Sequence, residues 1–366
     1  MSDKAPIIEV RTSPHVRHTP SVDQIMRNVV YSLLPVCAYA VYQFGISALT
    51  LILVTVLACV GTEQLFCRLS SKPTTVGDFS AVITGMLLAL TLPPGFPLWM
   101  AVVAAFVAIA LAKVMFGGIG LNVFNPALVG RAFVQAAFPV AITTWTPAFA
   151  PGRFTEFIPS TWTFPFALPV SVTDWVKETS LAIQLASPGV DAFTGATPLA
   201  LSKLGNGEVA HFVTDSMDLF MGTTAGSAGE TSAFLILLCG AYLALRRMMD
   251  WRIPAAVILG TYLTGEIFYL VDPSVYPHPI FMVLAGGLML GAVFMASDMI
   301  ASPVTPVGVW VYGILIGFLT VIIRLFGSLS EGVMYAILFG NAASPLISAV
   351  TQPRVYGTSR KKKAEL

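Results

Sequence analysis

The 366-residue chain is 56% hydrophobic and only 11% charged, with a net charge of +1. Water-soluble domains carry about a quarter charged residues, so a soluble globular class is excluded. The near-neutral balance makes no electrostatic case for a nucleic-acid partner.

Apolar runs approach 20 residues, the length that crosses a bilayer core of about 30 Å, and the mean hydropathy is +0.80. They predict an all-α integral membrane protein of about ten transmembrane helices. In chain order, residues 1–28 form a polar tail with Pro6, Pro14, Pro20, His15 and His18. It lacks the apolar stretch and small-residue cleavage site of a signal peptide, and is expected to be cytoplasmic. Residues 29–143 hold the first five helices, predicted at 29–44, 46–67, 79–92, 97–116 and 125–143. The third is short and stops at Pro93-Pro94-Gly95. Glu63 and Asp78 fall in or at the ends of these spans, where a charge is costly enough to suggest function, with snorkelling to the interface as the competing reading. Lys113 and Arg131 read as inner-side anchors. Gly117, Gly118 and Gly120 permit close backbone approach, but no strand precedes them and they do not make a dinucleotide fingerprint. Asn125-Pro126 is a favoured start for the next helix, Asn as N-cap and Pro as first residue.

Residues 144–230 form the longest stretch that does not span. Through Gly229 it holds seven acids against three bases, together with Trp145, Trp162 and Trp175. A loop of this length in a compact protein is usually functional. It contains Asp191-Ala-Phe-Thr-Gly-Ala-Thr-Pro. One reading is a turn, with hydroxyls at Thr194 and Thr197 and a permissive Gly195. The string also matches the Dxx(S/T)GA(S/T) acceptor signature of flavin transferases, which join the phosphate of FMN to the final hydroxyl. Thr197 would be that acceptor, Asp191 and Thr194 part of the attachment motif, and Gly195 and Ala196 would leave room for the phosphate. An exposed segment is expected, so that the transferase can grip it.

Residues 231–350 hold five further helices, predicted at 231–249, 252–271, 279–296, 306–326 and 331–350. Each half of the chain runs helix, Pro/Gly interruption, helix, then Asn and Pro near a Gly, which hints at two inverted five-helix repeats of the kind found in transporters. Glu266 and Asp298 are the intramembrane acids of this half; Asp298, in the interrupted SDMIASPVTP segment, is the stronger candidate for cation passage or flavin positioning. Residues 351–366 end in a basic tail that anchors topology and can touch anionic lipid. Most of the 20 basic residues lie in the two tails or in the segments holding Arg68 and Lys72, Lys113 and Arg131, and Arg246, Arg247 and Arg252. The positive-inside rule then places both termini in the cytoplasm and the 144–230 loop outside. Cys37, Cys59, Cys67 and Cys239 form no CxxC pair and read as small apolar residues. The histidines, His211 and His278 included, lack metal spacing.

The segments GGIGLNVFNPALVGRAF at 117–133, TGAT at 194–197, FMASDMIASPVTPVG at 294–308 and FGNAASPLIS at 339–348 carry a family resemblance. The chain resembles the family that contains RnfD of the Rnf complex, the ion-pumping ferredoxin–NAD oxidoreductase, and NqrB of the sodium-pumping NADH–quinone reductase. The resemblance covers residues 22–353. The short extension before the first helix favours the Rnf branch, and Thr194 stands where the family often has serine. The resemblance implies ten helices in inverted repeats like those of urea and ammonium channels, used here for electron transfer. It implies FMN covalently held as a phosphothreonyl ester on Thr197, and a non-covalent riboflavin near the inner side, bordered by Asn122 and Asn125. Asn side chains both donate and accept, as the ring's mixed edge requires. It further implies RnfA, RnfB, RnfC, RnfE and RnfG as partners, above all the covalent-flavin protein RnfG, together with a flavin transferase. A periplasmic 144–230 loop in a bacterial inner membrane is implied as well. With no dinucleotide fold and no Cys cluster, the chain is expected to be a translocase subunit rather than a self-contained enzyme. A small-solute transporter or channel is the rival from another class.

Overall fold

The computed structural model describes residues 21–71, 73–165, 175, 197–199, 216–222, 224, 226–230, 232–327 and 331–353. All regular structure among them is helical. The first helix, α1, spans Val22–Phe44. Its start lies inside the stretch expected to be a tail through residue 28. The cause is Ser21, whose Oγ accepts from the Gln24 N–H at 3.3 Å, with Asp23 in the first turn facing the positive helix end. This capping signal precedes the apolar run and extends the helix beyond it. Gly45, with φ of 71°, turns the chain into α2, Ile46–Leu69.

The helix α3, Ser80–Thr91, follows Phe79, which has φ of 62°. α4, Leu98–Ile109, continues into a π turn at Ala110–Val114. The predicted single helix at 125–143 is two: α5, Pro126–Ala137, and α6, Pro139–Thr143. Pro139 lacks an N–H and its ring crowds the preceding turn, so the helix must restart there. After a short α7, Ser216–Met221, come α8, Ala233–Leu245, and α9, Arg252–Val271. The predicted helix 279–296 is broken. α10 covers Pro279–Leu284, and α11 covers Leu288–Leu290 before a π turn at Gly291–Met295. Gly286, with φ of 69°, sits in the gap. A Cβ there would meet Leu199 Cδ1 at 2.6 Å and Arg324 Nη2 at 3.1 Å. α12, Pro306–Phe326, and α13, Val333–Val350, complete the chain.

Five helices, α1, α2, α9, α12 and α13, are long and apolar enough to cross a membrane. α3, α8 and the α4 run through Val114 are shorter apolar helices. Large apolar side chains such as Leu57, Leu245, Leu270 and Val350 stand exposed on the perimeter, as a hydrocarbon solvent requires. The molecule is a helical membrane protein. α2 packs on α3 and α4, and α4 on α5; α9 packs on α10 and α12, and α12 on α13; α1 meets α8. One continuous core of Leu, Ile, Val, Ala and Met joins these elements.

Parts of 144–230 are tied to the helices. Ile46 N–H donates to Arg153 O at 2.9 Å, Phe149 N–H to Gln43 O at 3.0 Å and Ser160 Oγ to Gly95 O at 2.6 Å. The end of the stretch differs from the expected outer cap. Ala228 is fully buried, and the N–H groups of Ala228 and Gly229 donate to Leu92 O and Leu90 O at 3.1 and 2.6 Å. The Pro93-Pro94 break leaves the carbonyls at the end of α3 without helical partners, and residues 226–230 satisfy them inside the core.

Candidate functional site

At the end of the molecule where α3 begins, a half-open cavity encloses about 110 Å³. Its walls are apolar, from Ile25, Ile83, Leu87, Leu243, Val293 and Phe294. Its polar groups come from both halves of the chain: Ser80, Lys113, Asn122 and Asn125 from the first, Ser297 and Asp298 from the second. Both π turns border it, supplying Lys113 and Val293–Phe294; such turns are frequent at functional sites because they displace a side chain from the regular helical rows.

Each polar group is positioned by local structure. Asn125 caps α5 through Oδ1, which accepts from Ala127 N–H at 3.0 Å, while its Nδ2 donates to Met295 O at 3.4 Å across the two halves. Capping and cavity lining therefore coexist at Asn125. Behind it, Asn341 of α13 lies 2.7 Å from the Tyr312 hydroxyl and 3.3 Å from the Asn125 backbone nitrogen. Asn122 donates only a long 3.3 Å bond to Phe124 O, so its amide is largely free to serve a ligand. Asp298 accepts from Ile300 N–H at 3.2 Å.

Lys113 is not a surface anchor. It is buried and pairs with Glu63 at 2.6 Å, and it also donates to Ser80 Oγ at 2.5 Å. Thr75 Oγ1 donates to the same Glu63 oxygen. Glu63 is thus neutralised inside the fold rather than snorkelling. Arg131, also expected as an anchor, is buried and pairs with Glu331. Glu266 lies on α9, half-buried and away from the cavity lining, so the structure does not join it to the site. Asp78 caps the start of α3, accepting from Ser80 N–H at 3.0 Å. Lys113, Glu63 and Ser80 are members of the site that sequence spacing did not bring together; an intramembrane Lys and Glu of opposite sign was the available signal.

The cavity suits a flat ring with one polar edge. Apolar side chains can cover the faces, and the Asn122 amide, whose single bond is long, is the polar group left to meet the edge. Thr197 lies elsewhere, at the far side of the α10–α11 break. Leu199 packs with Leu219, Phe281 and Ala285, which docks this segment on α7 and α10. Thr197 is consequently buried, 3% exposed, where an open acceptor segment was expected. Asp191, Thr194, Gly195 and Ala196 lie outside the described residues, as do the 1–20 and 354–366 tails. The helical run from Leu288 to Val293, where the cavity wall begins, separates the break from the cavity by about 8 Å along its axis. Cys37, Cys59 and Cys239 are buried free thiols and Cys67 is partly exposed. Among the described residues no cluster has metal-ligand geometry.

The sequence profile of the NQR2, RnfD, RnfE family matches residues 9–357. Among curated relatives, the D subunit of a proton-translocating ferredoxin:NAD(+) oxidoreductase complex from Clostridium ljungdahlii is 37% identical, over 98% of this chain and 98% of that one. The D subunit of a Na(+)-translocating ferredoxin:NAD(+) oxidoreductase complex from Acetobacterium woodii is 40% identical, over 97% of each. The D subunit of an ion-translocating oxidoreductase complex from Stutzerimonas stutzeri is 37% identical, over 94% of each.

Proposed function

Because the chain belongs to the NQR2, RnfD, RnfE family, we propose that it is the membrane electron-carrying subunit of an ion-translocating ferredoxin–NAD oxidoreductase. In this reading it carries FMN on Thr197 and riboflavin in the Asn122–Asn125–Asp298 cavity. Electrons pass between the two sites across the membrane, coupled to Na+ or H+ movement. The observation that carries the proposal is the cavity itself, an apolar slot with a polar edge assembled from both halves of the chain.

Riboflavin, when bound, supplies the redox chemistry, and the protein supplies position and insulation. The Asn122 amide would orient the ring edge, with Asn125, held by its cap and its bond to Met295 O, forming the wall beside it. Ile83, Leu87 and Phe294 exclude water from its faces. The Lys113–Glu63 pair fixes a positive group beside the cavity without an uncompensated charge. Asp298 stands at the cavity wall, beside the space the ring or an ion would occupy.

The same reading takes the chain as ten spans in two inverted repeats, with both termini cytoplasmic, the 144–230 loop periplasmic, and the membrane a bacterial inner membrane. The packing supports it: α2 and α9, second in each half, hold corresponding neighbours. Both third-place segments are short, and each has a positive-φ residue near its start, Phe79 directly before α3 and Gly286 in the break before α11. They meet the cavity with opposite ends, α3 with its N-terminus and the α11 run with its C-terminus. RnfA, RnfB, RnfC, RnfE and RnfG, with a flavin transferase, are the proposed partners. The test is a denaturing gel of the protein produced with the transferase. A fluorescent flavin band that vanishes in Thr197→Ala supports the proposal; a dark wild-type band favours a solute transporter of the same architecture.

A further inference from the structure

A second cluster of charged side chains lies inside the fold, at the opposite end of the α11 run from the cavity. Four residues form it: Glu230 before α8, Arg131 on α5, Arg324 at the end of α12 and Glu331 before α13. The Arg131 and Glu331 side chains are 7% and 12% exposed and are ion-paired. Arg324 is buried and donates to Met282 O and Ala285 O, carbonyls that the α10–α11 break releases from helical pairing. It lies within electrostatic reach of both Glu230 and Glu331. Tyr335 on α13 is within electrostatic reach of Arg131.

The two glutamates are the unusual feature. Glu230 lies against Ser227 and Gly287, which line the same small cavity as Glu331, and the two carboxyls are within electrostatic reach of each other. A carboxylate only accepts, so two ionised carboxylates in this position repel and leave their facing oxygens unpaired. Consistent with that, Oε1 of Glu230 and Oε1 of Glu331 are enclosed and have no donor, as is Ser227 Oγ. The backbone closes tightly around Glu230: a Cβ on Gly226 would lie 3.0 Å from Oε2, and one on Gly287 3.2 Å from Oε1. Beside Glu331, Arg131 and Ser227 is a cavity of about 20 Å³, enough for one water molecule.

We propose that Glu230 and Glu331 hold one exchangeable proton between them, forming a buried proton site on the far side of the helix break from the cofactor cavity. One proton turns the repelling pair into a carboxyl donating to a carboxylate, and the remaining negative charge faces Arg131. A metal cation is disfavoured, because two guanidinium groups stand close by and only three oxygens are unclaimed. In exchange, the O–H bond at one carboxyl breaks and the proton passes to a water in the adjoining cavity; return re-forms the bond, and no electron is transferred. The site depends only on these protein groups and holds whether or not the chain carries flavin.

The test is infrared difference spectroscopy of the intact complex in lipid, titrated in H2O and D2O. The expected result is a protonated-carboxyl carbonyl band, shifted by deuterium, that titrates with pH and is lost in both Glu230→Gln and Glu331→Gln. A band unchanged in both variants, or a wild type with no protonated glutamate, overturns the proposal. Displacement of the band by sodium at constant pH assigns the pair to a metal cation and overturns it too. If the glutamine variants do not assemble, Glu230→Asp keeps the acid: a shifted band supports the site, and an unmoved band overturns it.

Discussion

At the scale of single residues, the decisive contrast is between charges that look alike in sequence. Lys113, Arg131, Glu63 and Asp298 all stand near helix ends, and interfacial snorkelling accounts for any of them equally well. Burial separates them. Lys113 and Glu63 are mutually neutralised at 5% and 2% exposure, so removing one partner strands the other. Lys113→Ala should destabilise the protein by about 3–5 kcal/mol, whereas Lys113→Met combined with Glu63→Gln should cost clearly less; thermal unfolding in detergent measures both. Asn122 and Asn125 were legible from the motif they share, because the amide chemistry is local. The double variant Asn122→Ala, Asn125→Ala should lose most of the extractable riboflavin, and unchanged content would remove the assignment. Asn125→Ala alone also deletes a helix cap worth about 1 kcal/mol. Asp298 lines the cavity wall beside Ser297. Asp298→Asn should impair ion uptake by the complex in vesicles; normal coupling would dismiss that role.

At the scale of elements, small residues decide how closely helices approach. α9 and α12 cross at Gly260, Gly313 and Gly317. A Cβ on Gly317 would stand 2.5 Å from Thr261 N, and one on Gly313 2.4 Å from Ala256 Cβ. In lipid, where apolar surface alone does not drive helices together, such close backbone contact supplies much of the association. Gly317→Leu should therefore separate the pair and cost about 1–3 kcal/mol or more, read as a lowered unfolding midpoint. The break between α10 and α11 is the other element-scale decision. Apolar content through 279–296 predicts a continuous helix, and Gly286-Gly287 permits one. The side chains of Leu199 and Arg324, from distant parts of the chain, fill the gap and make the interruption permanent.

At the scale of the whole molecule, the proposed sidedness rests on the distribution of lysine and arginine, and it is directly testable. With Cys67 replaced by serine, a cysteine at the exposed Trp162 should react with an impermeant reagent added outside intact cells. A cysteine at the exposed Trp251 should react only once the inner face is opened; the reverse pattern would invert the proposed topology. The sequence by itself determined the membrane class and the bounds of α9 and α12, and it singled out Asn122, Asn125 and Asp298 separately; the fold is what lines one cavity with all three. Apolar run length, N-capping chemistry and local motifs are properties of neighbouring residues. Tertiary structure alone decided that residues 226–230 enter the core, that Thr197 is buried while nearby Leu199 packs on α7 and α10, and that Glu230, Arg131, Arg324 and Glu331 meet. Each of these depends on backbone groups freed at a helix break and claimed by residues far away in the chain. Desolvated polar groups must find partners wherever the fold presents them, and no local pattern of residues records where that will be.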